Sequence, residues 1–456
     1  METTAPVRAA SERKPPGLGA AQYLGYAGGD AANNLTFTLV SMFLLVYYTD
    51  VVGIAAGAAG TILLVARVWG AFTDVFAGRM VDKTSTRWGR FRPYFLFAGL
   101  PLMLLAVATF SVPGGLSETV TLVYAYATYM LFYLSYSLVN IPFGSLASAM
   151  TQLPDERAKL SSARSIGAAL AIIGLTVVVS PQLSSSTDLQ RSLTVTTLIF
   201  AAVGVGLYAF LFATSRETVA RDAAPVSLRQ SVDAIRRNRP LLLLCLSALV
   251  VLTGLFIMQT LQIYYARDVL GSANYTILLT MLTTGAMFVV SPVIPKIVET
   301  VGKKRAYLVA GIVSVAGGVG IALTVPTVPV LPFVFFAVYG IGIAALQADT
   351  VEYGEWASGV RTEGSNYAAL SFTRKVGQGI GGAVAAYGIG LGGYVAGSAR
   401  QTPGALDTIR YLTGGASALF VGVGTVIMFA YPLTEERFRT MIAETAARRS
   451  GRGRTS

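Results

Sequence analysis

The stretch SLTVTTLIFAAVGVGLYAFLFAT, residues 192–214, contains 23 residues and no charged side chain. A helix that crosses a bilayer needs about 20 predominantly apolar residues, so this stretch is long enough to span a membrane. Eleven more predominantly apolar stretches lie near residues 24–48, 54–80, 94–111, 120–149, 159–180, 240–265, 275–297, 306–325, 331–350, 365–391 and 408–431. The sequence therefore predicts an all-α integral membrane protein with twelve transmembrane helices.

The composition of the whole chain agrees with a lipid environment. Of the 456 residues, 54% are apolar and only 13% are charged, whereas a soluble chain of this length needs more charge to cover its surface. The chain has no histidine and one cysteine, Cys245, so it lacks a Ser-His-Asp or Cys-His catalytic pair and an imidazole metal ligand. We expect no enzyme activity, no metal and no cofactor, and proton handling must depend on carboxylates.

The positions of the basic residues predict the orientation. Loops after the odd-numbered spans hold only four of the 35 lysines and arginines, and many of the others lie in the opposite loops and the C-terminal tail. By the positive-inside rule, both termini are cytoplasmic and the protein is a multi-pass protein of the cell membrane. The net charge of +12 then reflects topology, and we expect no nucleic-acid partner. Residues 1–16 contain no apolar run, so we expect no cleaved signal peptide.

A polar stretch in the middle of the chain divides the spans into two groups of six. The predicted organisation is a cytoplasmic N-terminal tail (1–23), a six-helix bundle (24–214), a cytoplasmic central loop (215–239), a second six-helix bundle (240–431) and a cytoplasmic C-terminal tail (432–456).

The two halves also resemble each other. Asp82 and the sequence GRFR at 89–92 follow the second span, whereas Glu299 and GKKR at 302–305 follow the eighth. This weak repeat favours two pseudo-symmetric six-helix bundles that rock around a central site.

Charged residues inside the predicted spans point to function, because a charge at mid-bilayer costs about 2.5 to 3.5 kcal/mol even on the permissive insertion scale. Arg67 and Asp74 lie seven residues apart, on one face of the second helix. A structural ion pair between them is one interpretation. We prefer the other, in which Asp74 is a cation-coupling carboxylate that lines a cavity.

Other polar residues are candidates for substrate binding. In the fourth span Tyr129, Tyr133 and Tyr136 share a face with Asn140, which suits either packing or a sugar-sized ligand. Two adjacent cations in the eleventh span need an anion, either Asp74 or the substrate. The candidate substrate-binding residues are Asn33, Asn34, Tyr136, Asn140, Arg164, Ser371, Arg374 and Lys375; for Arg164 a snorkelling role is an equal alternative.

Several motifs resemble one transporter family. Residues 47–53 (YYTDVVG) and 79–93 (RMVDKTSTRWGRFRP) are similar to the glycoside-pentoside-hexuronide:cation symporters of the major facilitator superfamily, and the likeness runs nearly end to end. Residues 29–34 (GDAANN), 136–142 (YSLVNIP) and 349–355 (DTVEYGE) resemble the members that transport glucuronides.

The resemblance has implications for the substrate. Family members that bind a neutral sugar have aspartates where this chain has Asn34 and Asn140. Two negative charges are therefore missing, while Arg374 and Lys375 are present. This balance suits a substrate with a carboxylate.

The resemblance also has implications for the coupling ion. The cation site of the family commonly has two aspartates four residues apart, and this chain has Gly70 in place of the first and keeps Asp74. Sodium prefers several oxygen ligands, whereas a proton needs one carboxylate. We therefore predict H⁺ coupling through Asp74, with Na⁺ as the alternative.

A cytoplasmic gate is a further implication of the resemblance. Its predicted residues after the second span are Asp82, Lys83, Arg87, Arg90 and Arg92, and those between spans ten and eleven are Asp349, Glu355, Arg361 and Glu363. Ion pairs between the two bundles would hold the inner side shut. An ordinary solvated loop is the alternative.

Together these patterns predict a secondary active transporter that imports a glycoside, most specifically a glucuronide, with H⁺ by alternating access. A Na⁺-coupled symporter, or a symporter of a neutral pentoside or β-glycoside, is the alternative; an integral-membrane enzyme or a lipid flippase is more distant. The expected partners are the small-molecule glycoside and the lipid bilayer. The sequence leaves the aglycone, the stoichiometry and the oligomeric state open.

Overall fold

The computed structural model describes residues 17–185, 188–218, 239–290, 292–324, 330–357, 363–398 and 400–430. The helices of the first half are α1 (Ala20–Val46), α2 (Ala56–Lys83), α3 (Arg92–Phe97), α4 (Gly99–Thr109), α5 (Glu118–Met150), α6 (Pro154–Val179), α7 (Gln182–Ser185) and α8 (Leu189–Thr214). The helices of the second half are α9 (Arg239–Tyr264), α10 (Tyr275–Thr283), α11 (Ala286–Val290), α12 (Ile294–Val301), α13 (Lys303–Leu323), α14 (Leu331–Ala357), α15 (Glu363–Leu391), α16 (Pro403–Arg410) and α17 (Ser417–Phe429).

The observed helices follow the predicted spans. Among the described residues, nine helical segments are long and apolar enough to cross a membrane. Two shorter apolar segments, Tyr275–Val290 and Leu331–Leu346, and helix α15 occupy the places of the three remaining predicted spans. The all-α membrane fold is confirmed, and the full count of twelve crossings stays a prediction.

Apolar and polar side chains are distributed as in a protein surrounded by lipid. Large apolar side chains such as Phe72, Leu170 and Leu419 are exposed on the helix surfaces, which in water would form apolar patches of the kind that mark a membrane contact. Inside, the buried hydroxyl group of Thr197 donates to the carbonyl oxygen of Leu193 at 2.7 Å. Such side-chain hydroxyl groups satisfy themselves on the carbonyl oxygens of their own helix, as lipid requires.

Helix contacts define two groups and the seam between them. In the first half α1 packs on α6 and α8, and α2 packs on α5; in the second half α9 packs on α15 and α17, and α13 packs on α14. Between the halves, α2 contacts α15 and α1 contacts α9. The side chains of α1, α2, α5, α9 and α15 therefore meet in the middle of the molecule.

Small residues permit the close contacts along α15. A Cβ atom at Gly377 would lie 2.7 Å from the carbonyl oxygen of Leu249 in α9, and one at Gly381 would lie 2.6 Å from that of Thr253. The spacing of four residues puts both glycines on one face of α15, so the two backbones can approach as in other small-residue helix pairs.

One local structure occurs in both halves. Helix α1 continues into a π-helical turn, Tyr47–Val51, and α9 continues into another, Tyr265–Val269. Each turn is followed by a glycine with positive φ, 82° at Gly53 and 85° at Gly271, a backbone conformation that favours glycine. We call the end of the molecule where these turns lie the distal end, and the opposite end the proximal end.

Candidate substrate and cation site

A buried ion pair joins the two halves at the seam. The Lys375 side chain of α15, 3% exposed, donates from Nζ to Oδ1 of Asp74 in α2 at 2.5 Å. It also donates to the carbonyl oxygen of Gly70 at 3.1 Å and to Oγ of Ser137 at 3.3 Å. The anion that the cations of the eleventh span require is therefore Asp74, one of the two partners expected from the sequence.

One carboxylate oxygen of this pair is unused. Oδ2 of Asp74 is buried and has no hydrogen-bond partner in the part of the chain that the structure describes. A buried acceptor without a partner is costly, and a bound proton would convert the carboxylate to a neutral group. Asp74 therefore pairs with Lys375 through one carboxylate oxygen and keeps the other without a partner among the described residues.

Arg67 does not pair with Asp74, so this possible ion pair is not formed. Seven residues of helix correspond to about 10.5 Å along the axis, which is too far for a salt bridge even though both side chains share a face. Arg67 instead donates from Nη2 to Oγ of Ser41 at 3.0 Å.

A second ion pair joins α1 and α6 within the first half, next to the seam. Nε of Arg164 contacts Oδ1 of Asp30 at 3.0 Å, and Nδ2 of Asn34 donates to Oδ2 of Asp30 at 3.1 Å. The Arg164 side chain remains partly exposed while that of Asp30 is buried. Two predicted substrate residues, Asn34 and Arg164, thus contact the same carboxylate, that of Asp30, which was not among the predicted substrate-binding residues.

Tyr136 of α5 lies between the two ion pairs. Its ring stacks on Phe37 with centroids 5.6 Å apart, and Nζ of Lys375 lies 5.8 Å from its centroid. The charges of Asp30, Asp74, Arg164 and Arg374 all act on its hydroxyl group. Tyr136 is therefore placed where the predicted substrate and cation residues converge.

Asn140 follows Tyr136 by one helical turn. It is half-buried, and its side chain forms no hydrogen bond within the described residues. Arg374, also half-buried, acts electrostatically on Asp30. Both side chains retain polar groups that a ligand at the seam can use.

Asn33 has a different environment from Asn34. It is buried, and its Oδ1 accepts a hydrogen bond of 2.7 Å from the hydroxyl group of Tyr208 in α8. This contact lies within the first half, so it indicates a packing role and makes Asn33 a weak candidate for substrate contact. The side chain of Ser371 lies outside the described residues.

In the described part of the predicted proximal gate, an ion pair forms inside the first half. Nη2 of Arg90 contacts Oδ1 of Asp82, and Arg92 donates from Nε to the carbonyl oxygen of Phe212 at 3.0 Å. Lys83 is exposed, and the guanidinium of Arg87 lies over the Trp88 ring. The side chains of the opposing acids Asp349, Glu355 and Glu363, and all of Arg361, lie outside the described residues, so the predicted pairs between the halves stay a prediction.

An acid that the sequence analysis missed organises this loop. The Glu217 carboxylate accepts hydrogen bonds from the backbone nitrogens of Arg90, Phe91 and Arg92 at 2.8, 2.8 and 3.1 Å. The sequence feature that could have identified Glu217 is its position at the start of the polar central stretch.

A third ionic cluster, also missed, closes the distal end. Nη1 of Arg267 donates to Oδ2 of Asp50 at 2.6 Å, and the hydroxyl group of Tyr394 donates to both oxygens of Asp50 at 2.9 Å. Burial raises the pKa of the Tyr394 hydroxyl, which therefore stays protonated and donates. Because Asp50 belongs to the first half and the other two residues to the second, we call these three residues the distal lock.

The charge balance at the seam favours an anion. Among the side chains that the structure describes, four cationic ones, Arg67, Arg164, Arg374 and Lys375, face two carboxylates, Asp30 and Asp74, which leaves an excess of two positive charges. In a low-dielectric interior such an excess attracts a negatively charged group strongly.

Sequence comparisons identify the family. Residues 25–435 match the MFS/sugar transport protein family. The chain is 42% identical to the glucuronide carrier protein homolog of Escherichia coli (strain K12), with 92% of this chain and 94% of that protein covered. It is 33% identical to the isoprimeverose transporter of Lactiplantibacillus pentosus, with 84% and 83% covered.

Solved structures show the same fold. The D-xylose-proton symporter aligns with a TM-score of 0.65 at 13% identity, over 91% of this chain and 98% of that chain. The nucleoside transporter NupG aligns with a TM-score of 0.65 at 14% identity, over 91% and 98%. The family and these relatives are transporters, which sets aside the membrane-enzyme alternative. The chain belongs to the MFS/sugar transport protein family of the major facilitator superfamily.

Proposed function

We propose that this protein imports a glucuronide together with H⁺ by alternating access. The observation that carries the proposal is the 2.5 Å ion pair between Asp74 and Lys375. It connects the two halves that must move relative to each other, and it lies beside the side chains that suit a sugar with a carboxylate.

The ion pair supplies a mechanism of coupling. In the empty protein the charges of Asp74 and Lys375 compensate each other, so the seam can close at low cost. Protonation of Asp74 removes its charge and leaves the Lys375 ammonium without a partner, which is unfavourable in a buried site. A substrate carboxylate then replaces the Asp74 carboxylate beside Lys375. Closure of the seam is therefore favoured when proton and substrate are both bound or both absent. A transporter that changes state only under these two conditions is a symporter.

The same contact supports H⁺ over Na⁺. The Lys375 ammonium occupies the position next to Oδ1 of Asp74 that a metal cation would need, and position 70, one turn away, is glycine and supplies no second carboxylate. Sodium must displace the lysine and find further oxygen ligands, whereas a proton needs only the unpartnered Oδ2 of Asp74.

The charge excess and the relative from E. coli both support a glucuronide over a neutral glycoside. Beyond Lys375, we propose Asn34, Tyr136, Asn140, Arg164, Ser371 and Arg374 as substrate contacts. The asparagines can bond hydroxyl groups, and the arginines can bind a carboxylate through their planar donor forks.

We further propose that the distal end is extracellular and both termini are cytoplasmic, as the basic loops indicate. The distal lock then holds the outer side shut, so the substrate leaves toward the proximal end. In the opposite state, ion pairs between the loop of Asp82 and Arg90 and the acids Asp349 and Glu355 would hold the inner side shut.

Uptake by proteoliposomes that contain the purified protein tests the proposal. A labelled glucuronide should accumulate when the interior is alkaline, up to about tenfold per pH unit at a stoichiometry of one to one, since one pH unit is worth 1.36 kcal/mol. A monoanion that moves with one H⁺ transfers no net charge, so collapse of the voltage at constant pH gradient should leave accumulation unchanged.

Two controls separate the alternatives. A Na⁺ gradient in place of the pH gradient should give no accumulation. An uncharged glycoside with the same aglycone should compete at least tenfold less well than the glucuronide. Sodium-driven accumulation, or equal competition by the uncharged glycoside, would contradict the proposal and favour the Na⁺-coupled or neutral-sugar alternative.

A further inference from the structure

Arg67 is the largest of the fully buried side chains in the described residues and is 2% exposed. Its Nη2 donates a hydrogen bond to Oγ of Ser41 at 3.0 Å, and the hydroxyl groups of Tyr129 and Tyr133 also act on its charge. Nε and Nη1 have no acceptor among the residues that the structure describes. An arginine stays charged when buried, so a full positive charge lies inside the membrane region, and two of its three nitrogens lack an acceptor among the described residues.

No carboxylate of the described chain compensates this charge. The two acids of the seam are already occupied, Asp74 by Lys375 at 2.5 Å and Asp30 by Arg164 at 3.0 Å. Position 70, one turn along the same face of α2, is glycine, so the helix itself provides no acid beside Arg67.

Aromatic rings compensate the charge only in part. The guanidinium carbon lies 5.0 Å from the ring centroid of Phe256 in α9 and 5.8 Å from that of Phe37 in α1. Each cation–π contact of this kind is worth about 0.5 to 2 kcal/mol, so the two can offset much of the roughly 2.5 to 3.5 kcal/mol that a central charge costs. A ring face accepts no conventional hydrogen bond in the plane of the guanidinium, however, so Nε and Nη1 still lack an acceptor among the described residues, as is expected of a residue that binds an anion.

Arg67 belongs to the same seam as the proposed substrate contacts. The Phe37 ring that lies below its guanidinium stacks on Tyr136 at 5.6 Å. On α15, a Cβ atom at Gly379 would lie 3.2 Å from Cβ of Arg67, and Gly379 follows Lys375 by one turn. The interval between Arg67 and Asp74 contains Gly70, whose missing side chain leaves room for the ring of Tyr133 from α5.

We infer that Arg67 is a specificity-determining residue that binds the carboxylate of the transported glycoside together with Lys375. The inference rests on the proposed function and deepens it. Lys375 responds to the protonation of Asp74, whereas Arg67 is charged in every step and, among the residues that the structure describes, has no carboxylate to release. Arg67 thus makes the preference for an anion over a neutral sugar independent of the coupling ion.

Binding of two matched ligands to the purified full-length protein tests the inference. The ligands are a nitrophenyl glucuronide and the corresponding nitrophenyl glucoside, which differ at the carboxylate. Arg67→Gln should lower the glucuronide affinity about 10- to 100-fold, because a charge-assisted contact is lost, while the glucoside affinity changes less than threefold. Arg191→Gln, which removes an exposed arginine far from the seam, should leave both affinities unchanged.

A second variant gives a readout if Arg67→Gln does not fold. Arg67→Lys keeps the charge and loses the fork, so it should weaken glucuronide binding about tenfold and glucoside binding less than threefold. Equal weakening of both ligands in either variant would show a structural role and overturn the inference.

The wild-type protein separates failure of the inference from failure of the proposed function. If the wild type prefers the glucuronide and the Arg67 variants keep that preference, the inference is wrong and the proposed function stands. If the wild type does not prefer the glucuronide, both are wrong.

Discussion

Loss of the distal lock should change the ratio of molecules with a closed distal end to molecules with an open one. Asp50 and Arg267 are 7% and 22% exposed at their side chains and contact each other at 2.6 Å across the two halves. We expect Asp50→Asn to favour the state with an open distal end, because this contact exists only when that end is closed.

The size of the effect follows from the partners that remain. Loss of one member of an isolated buried pair costs about 3 to 5 kcal/mol, but Arg267 keeps Asp268, which it contacts at 3.0 Å. The loss is then closer to that of one hydrogen bond to a charged group, about 1.5 to 3 kcal/mol. A value of about 2 kcal/mol shifts the ratio of open to closed molecules about 30-fold.

Distances between spin labels measure this shift. Leu116 and Ala396 are exposed at the distal end on different halves, and the single native cysteine makes a Cys245→Ser background simple to prepare. Labels at Leu116→Cys and Ala396→Cys should report a longer distance in Asp50→Asn than in the background protein.

A matched control has the same change of charge at the same end. Asp407 pairs with Arg410 of its own helix at 2.9 Å and is 54% exposed, so Asp407→Asn should leave the distance distribution unchanged. An unchanged distribution in Asp50→Asn, or an equal shift in both variants, would refute the role of the lock.

Three further predictions concern packing and local order. Gly70→Ala should lower the midpoint of thermal unfolding in detergent, because its Cβ would lie 2.6 Å from Cδ1 of buried Tyr133 and overpacking costs about 1 to 3 kcal/mol; an unchanged midpoint would argue against this packing. Tyr208→Phe removes the 2.7 Å hydrogen bond to Asn33 and should cost about 1 to 3 kcal/mol of stability with less than a twofold change in glucuronide affinity; a larger change in affinity would instead place Asn33 among the substrate contacts. Glu217→Gln should speed amide hydrogen exchange in the loop before α3, whose backbone nitrogens it binds, and unchanged exchange would contradict its organising role.

The sequence was sufficient to predict the helices and to predict that Lys375 needs an anionic partner. Twenty or more apolar residues have few alternatives to a helix in lipid, so the predicted and observed boundaries agree within a few residues for most of the spans. The cost of a charge in the membrane likewise required an anion for the eleventh span, and Asp74 is that anion.

The sequence was not sufficient to predict contacts that depend on how the helices are rotated about their axes and placed beside each other. A shared helical face suggested Arg67 and Asp74 as a pair, but the rise between them exceeds the length of a salt bridge. Asn33 and Asn34 are adjacent in sequence, yet one faces Tyr208 and the other Asp30. Which face of α1 turns toward α8 is decided by packing between helices, which one-dimensional periodicity does not contain.

The sequence contained part of the information needed to predict the distal lock. Arg267 is one of only four basic residues on its predicted side of the membrane, and Asp50 lies in the motif YYTDVVG. Their pairing depends on the equivalent π-helical turns in the two halves, and a repeat of this kind is visible only once the two helix ends are seen together.

Transport by Asp74→Asn in proteoliposomes tests the coupling claim most directly. The amide cannot exchange a proton, so the variant should not accumulate a labelled glucuronide against its gradient when the interior is alkaline, although it should still exchange internal for external substrate. Glu118→Gln, which removes an exposed acid at the start of α5, should accumulate substrate as the wild type does. Accumulation by Asp74→Asn to the wild-type level would contradict the account.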